Sequence, residues 1–148
     1  MATILGKLLY SILSVGLMLA VSNKNTYNLV DKIMGGDGII ILNDCPTFKG
    51  HLVHTVIFFI LIFAMMISFN MGKSEENKRS AWLLVKYSFY GTLIFSIVTS
   101  SELYKLIGNL TNGITANSNG CPTTSGLLLH SLIYLLVLFG VMFFPKDC

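Results

Sequence analysis

Two stretches of this chain have nearly the same sequence: CPTFKGHLVH at residues 45–54 and CPTTSGLLLH at residues 121–130. Each leads into a long apolar run that contains no Asp or Glu. A run of roughly 20 predominantly apolar residues is long enough to cross the hydrocarbon core of a bilayer. The repeated stretch therefore predicts two membrane helices that begin with the same residues.

The composition of the whole chain agrees with a membrane protein. Of its 148 residues, 53% are hydrophobic and 11% are charged, whereas a soluble domain usually has about 25% charged residues. Four apolar runs are long enough to be spans, at residues 4–22, 52–71, 82–100 and 127–144. We predict an all-α membrane protein with one polytopic domain over residues 1–148. The first run is interpreted as a retained helix and not as a signal peptide, because it has a counterpart later in the chain.

An internal repeat relates the two halves of the chain. A shift of 76 positions places Cys45, Gly50 and His54 on Cys121, Gly126 and His130, and a shift of 77 aligns the residues upstream of them. Repeat 1 covers about residues 4–71, and repeat 2 covers about residues 81–145. Two spans return the chain to its starting side, so both copies have the same orientation. The predicted fold is four transmembrane helices arranged as two tandem parallel-repeat hairpins.

Short amphipathic segments follow the first and third spans. Apolar residues recur there at spacings of three and four, as helical periodicity requires. Two interpretations stay open, a short helix in the membrane interface and a simple extension of the span. The residues concerned are Tyr27, Val30, Ile33 and Met34 in the first copy, and Leu103, Leu106, Ile107 and Leu110 in the second.

Basic residues indicate an orientation. The link at residues 72–81 holds Lys73, Lys78 and Arg79, and both termini are predicted on the same side. Positive charge near span ends favours the cytoplasmic side. We therefore expect the link and both termini to be cytoplasmic.

The shared motif has the features of a helix start. Pro is favoured in the first helical turn, a Thr hydroxyl can cap exposed amides, and a Gly one turn later lets another backbone approach. These residues are Pro46, Thr47 and Gly50 in the first copy, and Pro122, Thr123 and Gly126 in the second.

Cys45 and Cys121 occupy equivalent positions on one face of the predicted bundle. Three states are open: a disulfide, which needs Cα atoms within about 7 Å, two free thiols, and a metal site shared with His54 and His130. The disulfide is favoured over the metal site, because dedicated zinc sites use more closely spaced ligand pairs. No Cys-x-x-Cys is present, which argues against a thiol oxidoreductase. We expect no metal and no cofactor.

His54 and His130 are ionisable groups near the ends of spans, and such groups are functional candidates. The structural interpretation is favoured, in which each neutral imidazole bonds to loop carbonyls near the membrane surface. The spans contain no Asp or Glu, so the carboxylates typical of proton-coupled pumps are missing. No catalytic set of residues is recognisable, and we expect no enzyme.

Three other features bear on partners and modification. The net charge of +3 is far from the dense basic patch of a nucleic-acid binder, so no nucleic-acid partner is expected. Asn109 begins a formal glycosylation sequon, whose position in an amphipathic segment makes its use doubtful. Cys148 has no counterpart in the first repeat, and a free thiol, an acylation site and an intermolecular bridge all remain open.

The second repeat resembles a family of small membrane proteins encoded by large nucleocytoplasmic DNA viruses, such as the chloroviruses. The characteristic segments are KYS at 86–88, GTL at 91–93, YKL at 104–106, GCPT at 120–123 and GLLLH at 126–130. The first copy departs from this pattern, since Asp44 replaces the Gly before Cys-Pro-Thr. The resemblance extends to the whole chain only through the internal repeat.

The resemblance implies a structural role. Such viruses enclose an internal membrane beneath an icosahedral shell, and minor capsid proteins with membrane spans connect the two. It implies a virion membrane protein whose partners are the lipid bilayer, capsid proteins and further copies of itself. Viral thiol oxidases would also allow a Cys45–Cys121 bond on a cytosolic face. The competing hypothesis is a small transporter or channel along the pseudo-two-fold axis, with His54 and His130 near its mouth.

Overall fold

The computed structural model describes residues 4–144 and is mostly helical. Four helices in this range are long and apolar enough to cross a membrane: α1, α3, α4 and α6. This confirms the helical class and the four predicted spans. In chain order the elements are α1 (Ile4–Ser22), α2 (Lys24–Ile33), β1 (Ile41–Leu42), β2 (Cys45–Pro46), α3 (Phe48–Met71), a 3₁₀ turn (Glu75–Asn77), α4 (Ala81–Val98), α5 (Ser101–Leu110) and α6 (Thr124–Val141).

Capping side chains determine where the helices begin. Thr47 and Thr123 cap α3 and α6, so these spans start at Phe48 and Thr124, a few residues earlier than the hydropathy predicts. Asn23 and Ser100 cap α2 and α5 in the same way. A side-chain oxygen at this position satisfies one of the backbone N–H groups that the first turn leaves unpaired. The amphipathic segments are therefore separate helices and do not extend the spans.

The four spans pack in a closed ring. α1 contacts α3 and α6, and α4 contacts the same two helices. Each of α3 and α6 buries a stripe of residues at intervals of four, because side chains four apart lie on the same face of a helix. The stripe on α3 consists of Gly50, His54, Phe58, Ile62 and Met66, and the stripe on α6 includes Gly126, His130, Tyr134 and Leu138.

Aromatic rings fill the middle of the bundle. Phe58 stacks on Phe95 with ring centroids 4.1 Å apart, and Tyr134 meets Phe58 edge-on at 6.1 Å. All three side chains are fully buried. Aromatic pairs in these geometries contribute about 0.5–1.5 kcal/mol beyond the area that they bury. The centre of the ring is therefore a packed core.

Two hydroxyl–thioether contacts join the α1–α3 hairpin to the α4–α6 hairpin. The Ser11 hydroxyl of α1 lies 3.6 Å from the sulfur of Met142, just after α6. The Ser88 hydroxyl of α4 lies 3.2 Å from the sulfur of Met66 on α3. Each serine also donates to a backbone carbonyl four residues earlier, so neither hydroxyl is left unpaired in the apolar interior.

Candidate functional site

The two Cys-Pro-Thr motifs meet at the end of the bundle where α3 and α6 begin. Cys45 and Cys121 lie within disulfide-bonding distance, with their Cα atoms 5.1 Å apart. The bond joins residues 76 positions apart in sequence. It ties the loop between α2 and α3 to the loop between α5 and α6. The pair predicted from the sequence is therefore brought together.

Each proline lies one residue before the helix cap, in extended backbone. Pro46 belongs to β2 and pairs with Ile41 of β1, while Pro122 forms an isolated bridge with Ala116. The expectation that both prolines occupy the first helical turn is wrong. The reason is that the following threonines occupy the cap position, so that each proline lies in the extended segment before the helix.

The threonines join each helix start to the preceding loop. Thr47 and Thr123 accept a bond from the amide N–H of Gly50 and Gly126, each at 3.0 Å. Their own hydroxyls donate to loop carbonyls, in the second half to Ile114 O at 2.7 Å. Each hydroxyl therefore satisfies a helix amide and a loop carbonyl at once.

The glycines lie directly against this loop. A Cβ added to Gly50 would stand 2.0 Å from the carbonyl oxygen of Ile40, and one added to Gly126 would stand 1.8 Å from that of Thr115. Cβ atoms do not approach oxygen this closely, so only glycine fits either position. The backbone that approaches is thus the chain's own loop and not a neighbouring helix.

The two histidines connect the spans within each hairpin. His54 Nδ1 lies 2.8 Å from the carbonyl oxygen of Val21, at the end of α1. His130 Nδ1 lies 2.5 Å from that of Val98, at the end of α4. The sequence predicted a bond to loop carbonyls, whereas the acceptors belong to the last helical turns. Those carbonyls lack intrahelical partners, and each imidazole supplies one.

The protonation of these histidines follows from their acceptors. Since a carbonyl only accepts, Nδ1 must carry the proton, and the neutral ring then leaves a lone pair on Nε2. Within residues 4–144, neither Nε2 atom has a hydrogen-bond partner, and both are buried. This arrangement suits a neutral structural imidazole.

Two tyrosines cover the histidine rings. Tyr27 of α2 stacks on His54 with centroids 3.6 Å apart and planes 3° apart. Tyr104 of α5 stacks on His130 at 3.8 Å and 19°. Burial raises the pKa of both phenols above the usual range, so both stay protonated at neutral pH. The short helices α2 and α5 therefore cover the histidine rings on the side that faces the loops.

A narrow space separates the two tyrosines. A cavity of about 20 Å³ is lined by Tyr27, Tyr104, Pro46 and Pro122, among others. This volume is about that of one water molecule. The space between the motifs is too small for an organic substrate.

The arrangement around the motifs does not favour a metal site shared by the cysteines and histidines. Both cysteine sulfurs are at bonding distance from each other, and a disulfide sulfur offers no thiolate to a metal. In the part of the chain that the structure describes, no group of three or more His, Cys, Asp or Glu side chains is placed to hold a metal ion.

The sequence interpretation missed several contacts of the site. Tyr27 and Tyr104 were not predicted as partners of the histidines. The available signal was the shift of 77 positions, which places Tyr27 on Tyr104 and Val21 on Val98. Asp31 was not singled out, although its buried carboxylate accepts the Ile40 amide at 2.9 Å.

Two modification candidates stand outside this site. Asn109 is exposed near the end of α5. The hydroxyl of Thr111, the third residue of its sequon, bonds to the Ile107 carbonyl at 2.9 Å. The sequon is thus part of a helix end. Cys148 lies outside the described residues.

No protein family, curated protein or solved structure shows significant similarity to this chain.

Proposed function

We propose that the two halves of the chain are tandem parallel repeats related by a pseudo-two-fold axis. Equivalent positions make equivalent contacts: His54 and His130 each bond to the end of the preceding span. The contact of α1 with α6 and that of α4 with α3 are likewise exchanged by such an axis. The Ser11–Met142 and Ser88–Met66 pairs lie in these two interfaces.

We propose that this bundle is a structural membrane anchor. The observation that carries the proposal is the aromatic core in the middle of the bundle, where the fully buried rings of Phe58, Phe95 and Tyr134 pack together. A protein that only needs to hold its loops at a membrane surface is served by a packed core. The exposed outer faces of the spans are mainly Leu, Ile, Val and Phe, as lipid contact requires.

The two loops that the disulfide joins, between α2 and α3 and between α5 and α6, supply the contact surface of this anchor. The disulfide and the threonine bonds hold both loops against the helix starts. On these two loops, the side chains of Ile39, Leu42 and Ile114 are exposed. These side chains would bury apolar area against a partner protein. A rigid surface also loses little conformational entropy on binding.

The proposed partners are capsid proteins, and the proposed location is the internal membrane of a virion. This assignment is supported by the resemblance to small membrane proteins of large DNA viruses. In that role the protein would be a minor capsid protein that connects the inner membrane to the icosahedral shell. A further copy of the chain is a second proposed partner.

The test is quantitative proteomics of gradient-purified particles, prepared without reducing agent. We expect the chain at a fixed stoichiometry to the major coat protein, together with a cross-linked peptide that contains Cys45 and Cys121. Recovery of the chain from host membranes and its absence from particles would contradict the anchor role.

The second candidate is a small transporter or channel. One observation favours it: a cavity of about 590 Å³ opens between the spans at the end where the link lies. A transporter predicts a specific flux in reconstituted vesicles that is lost in the double variant His54→Ala, His130→Ala. Flux that persists in this variant, or no flux above protein-free vesicles, would exclude a path past the histidines.

A further inference from the structure

The cavity at the link end of the bundle has an apolar interior and a basic mouth. All four spans contribute to it, together with the link between α3 and α4. Its interior is formed by Ile62, Met66, Leu84, Leu138 and Met142. Its volume of about 590 Å³ lies within the range of pockets that hold small organic ligands, roughly 300–1,000 Å³.

The depth of the cavity corresponds to one leaflet of a membrane. On α3 the lining residues begin at Ile62, and the helix ends at Met71. At 1.5 Å per residue this stretch is about 14 Å long, which is about half of the hydrocarbon thickness of roughly 30 Å. Phe58, one turn further in, belongs to the packed aromatic layer. An occupant would therefore enter from one leaflet and stop at mid-membrane.

The mouth carries positive charge. Lys7, Lys73 and Arg79 line it, and no Asp or Glu is present among the described lining residues. The Lys7 ammonium lies 4.2 Å from the centre of the Phe143 ring, and the Arg79 guanidinium lies 5.4 Å from that of Tyr87. Aromatic faces of this kind hold a cation without neutralising it.

The backbone at Arg79 is fixed in place. The Asn70 side chain accepts from the Arg79 amide at 2.8 Å and donates to its carbonyl at 3.0 Å. These two bonds tie the link to the end of α3, so that Arg79 stays at the mouth. Tyr10 also lines the cavity, and within residues 4–144 its buried hydroxyl has no hydrogen-bond partner. A polar group of the ligand would satisfy it.

We infer that this cavity binds an anionic phospholipid, with an acyl chain between the spans and the headgroup at Lys7, Lys73 and Arg79. The basic mouth selects the negative charge, and the one-leaflet depth fits a lipid that stays in its own monolayer. This inference requires only that the chain spans a membrane. It is independent of the proposed role in a virion.

The test is native mass spectrometry of the full chain released from mixed micelles that contain phosphatidylglycerol or phosphatidylcholine. The variant Lys73→Gln, Arg79→Gln removes two charges from the mouth, and Lys32→Gln, Lys49→Gln removes two exposed charges from the opposite end. A basic residue near an anionic lipid contributes about fivefold to binding, so the mouth variant should retain phosphatidylglycerol about 10- to 30-fold more weakly. The opposite-end variant should bind like the original protein.

A second variant tests the interior without changing charge. Val141→Trp places a large ring on a lining position that is 39% exposed, and it should reduce retention of phosphatidylglycerol while the protein stays monodisperse. Equal retention of both phospholipids by the original chain would overturn the inference. So would equal loss in the two charge variants. Oleate or inorganic phosphate retained in place of phosphatidylglycerol would likewise show that the site does not bind a phospholipid.

Discussion

The two halves of this protein hold their spans in the same way but fasten their loops differently. In both, a histidine bonds to the end of the preceding span and a tyrosine stacks on it. In the first half, the buried Asp31 carboxylate accepts the amide of Ile40. At the corresponding position the second half has Gly108, against which Ala116 packs directly.

This difference shows which contacts the architecture requires. The second half replaces the carboxylate bond by close packing and by a hydroxyl bond of 2.8 Å between Thr111 and Thr115. In both halves, the loop places a backbone carbonyl against the glycine in the first turn of the next span. The approach of loop to helix is thus common to both halves, whereas the bond that stabilises the loop is interchangeable.

The largest expected effect comes from filling the shared glycine contact. Gly126→Ala puts a Cβ within 1.8 Å of the Thr115 carbonyl oxygen, so the loop must move away. Overpacking typically costs about 1–3 kcal/mol and occasionally more, and a cost above this range is expected here because the clashing atom belongs to the backbone. Gly50→Ala should cost a similar amount, because the first half makes the same contact. Thermal unfolding in detergent measures both.

The matched control for this pair is Gly140→Ala. Nothing lies within 4 Å of a Cβ at that position, and Ala favours a helix over Gly by about 1 kcal/mol. We expect unchanged or slightly higher stability. A loss in Gly140→Ala as large as that in Gly126→Ala would show that the close loop approach is not the cause.

The next largest effect is expected from separating the two halves. Cys45→Ser or Cys121→Ser removes the bond between their loops, and a disulfide typically contributes about 2–4 kcal/mol. The double variant should be no less stable than either single variant, since one bond is lost in each case. Thermal unfolding without reducing agent measures the effect. Cys148→Ser is the control, and an equal loss there would contradict the assignment.

A smaller effect should be confined to the first half. Asp31→Ala leaves the buried Ile40 amide without its acceptor, which costs about 1–3 kcal/mol. Hydrogen exchange at Ile40 should accelerate, while exchange in the loop of the second half stays unchanged. Asp31→Asn keeps an acceptor oxygen and serves as the control. Equal acceleration in both loops would mean that the carboxylate acts on the whole bundle.

The smallest effect concerns the residue before each cysteine. Asp44 and Gly120 both have left-handed backbone, at φ +65° and +79°. Asp44→Gly removes the backbone strain but also the exposed Asp44–Lys24 ion pair. Such a pair contributes about 0–1 kcal/mol, so the net change in unfolding free energy should be close to zero.

The reciprocal exchange should not be neutral. A Cβ at Gly120 would lie 2.7 Å from the Ser101 carbonyl oxygen, so Gly120→Asp should lower the melting temperature. If Asp44→Gly and Gly120→Asp change the melting temperature equally little, the space around the two turns is the same. The presence of Asp44 in place of a glycine before the first Cys-Pro-Thr would then have no structural meaning.

Much of the fold could be predicted because it depends on local chemistry. The four spans follow from apolar runs, and the two motifs follow from their repetition. The partnership of Cys45 with Cys121 was one of three open states, and the structure brings both residues to bonding distance. Helix starts were less accurate, because hydropathy does not register that Thr47 and Thr123 cap helices that begin outside the most apolar stretch.

The inward face of each span was decided only by the tertiary structure. In a membrane the lipid-facing and the core-facing sides of a helix are both apolar, so periodicity does not separate them. The sequence by itself determined that Phe58, Phe95 and Tyr134 lie in spans, but not that they pack together. The histidine bonds to Val21 and Val98 and the cavity at the link end join residues far apart in the chain. Such contacts depend on how complete helices are oriented against each other, and that orientation is a property of the assembled bundle.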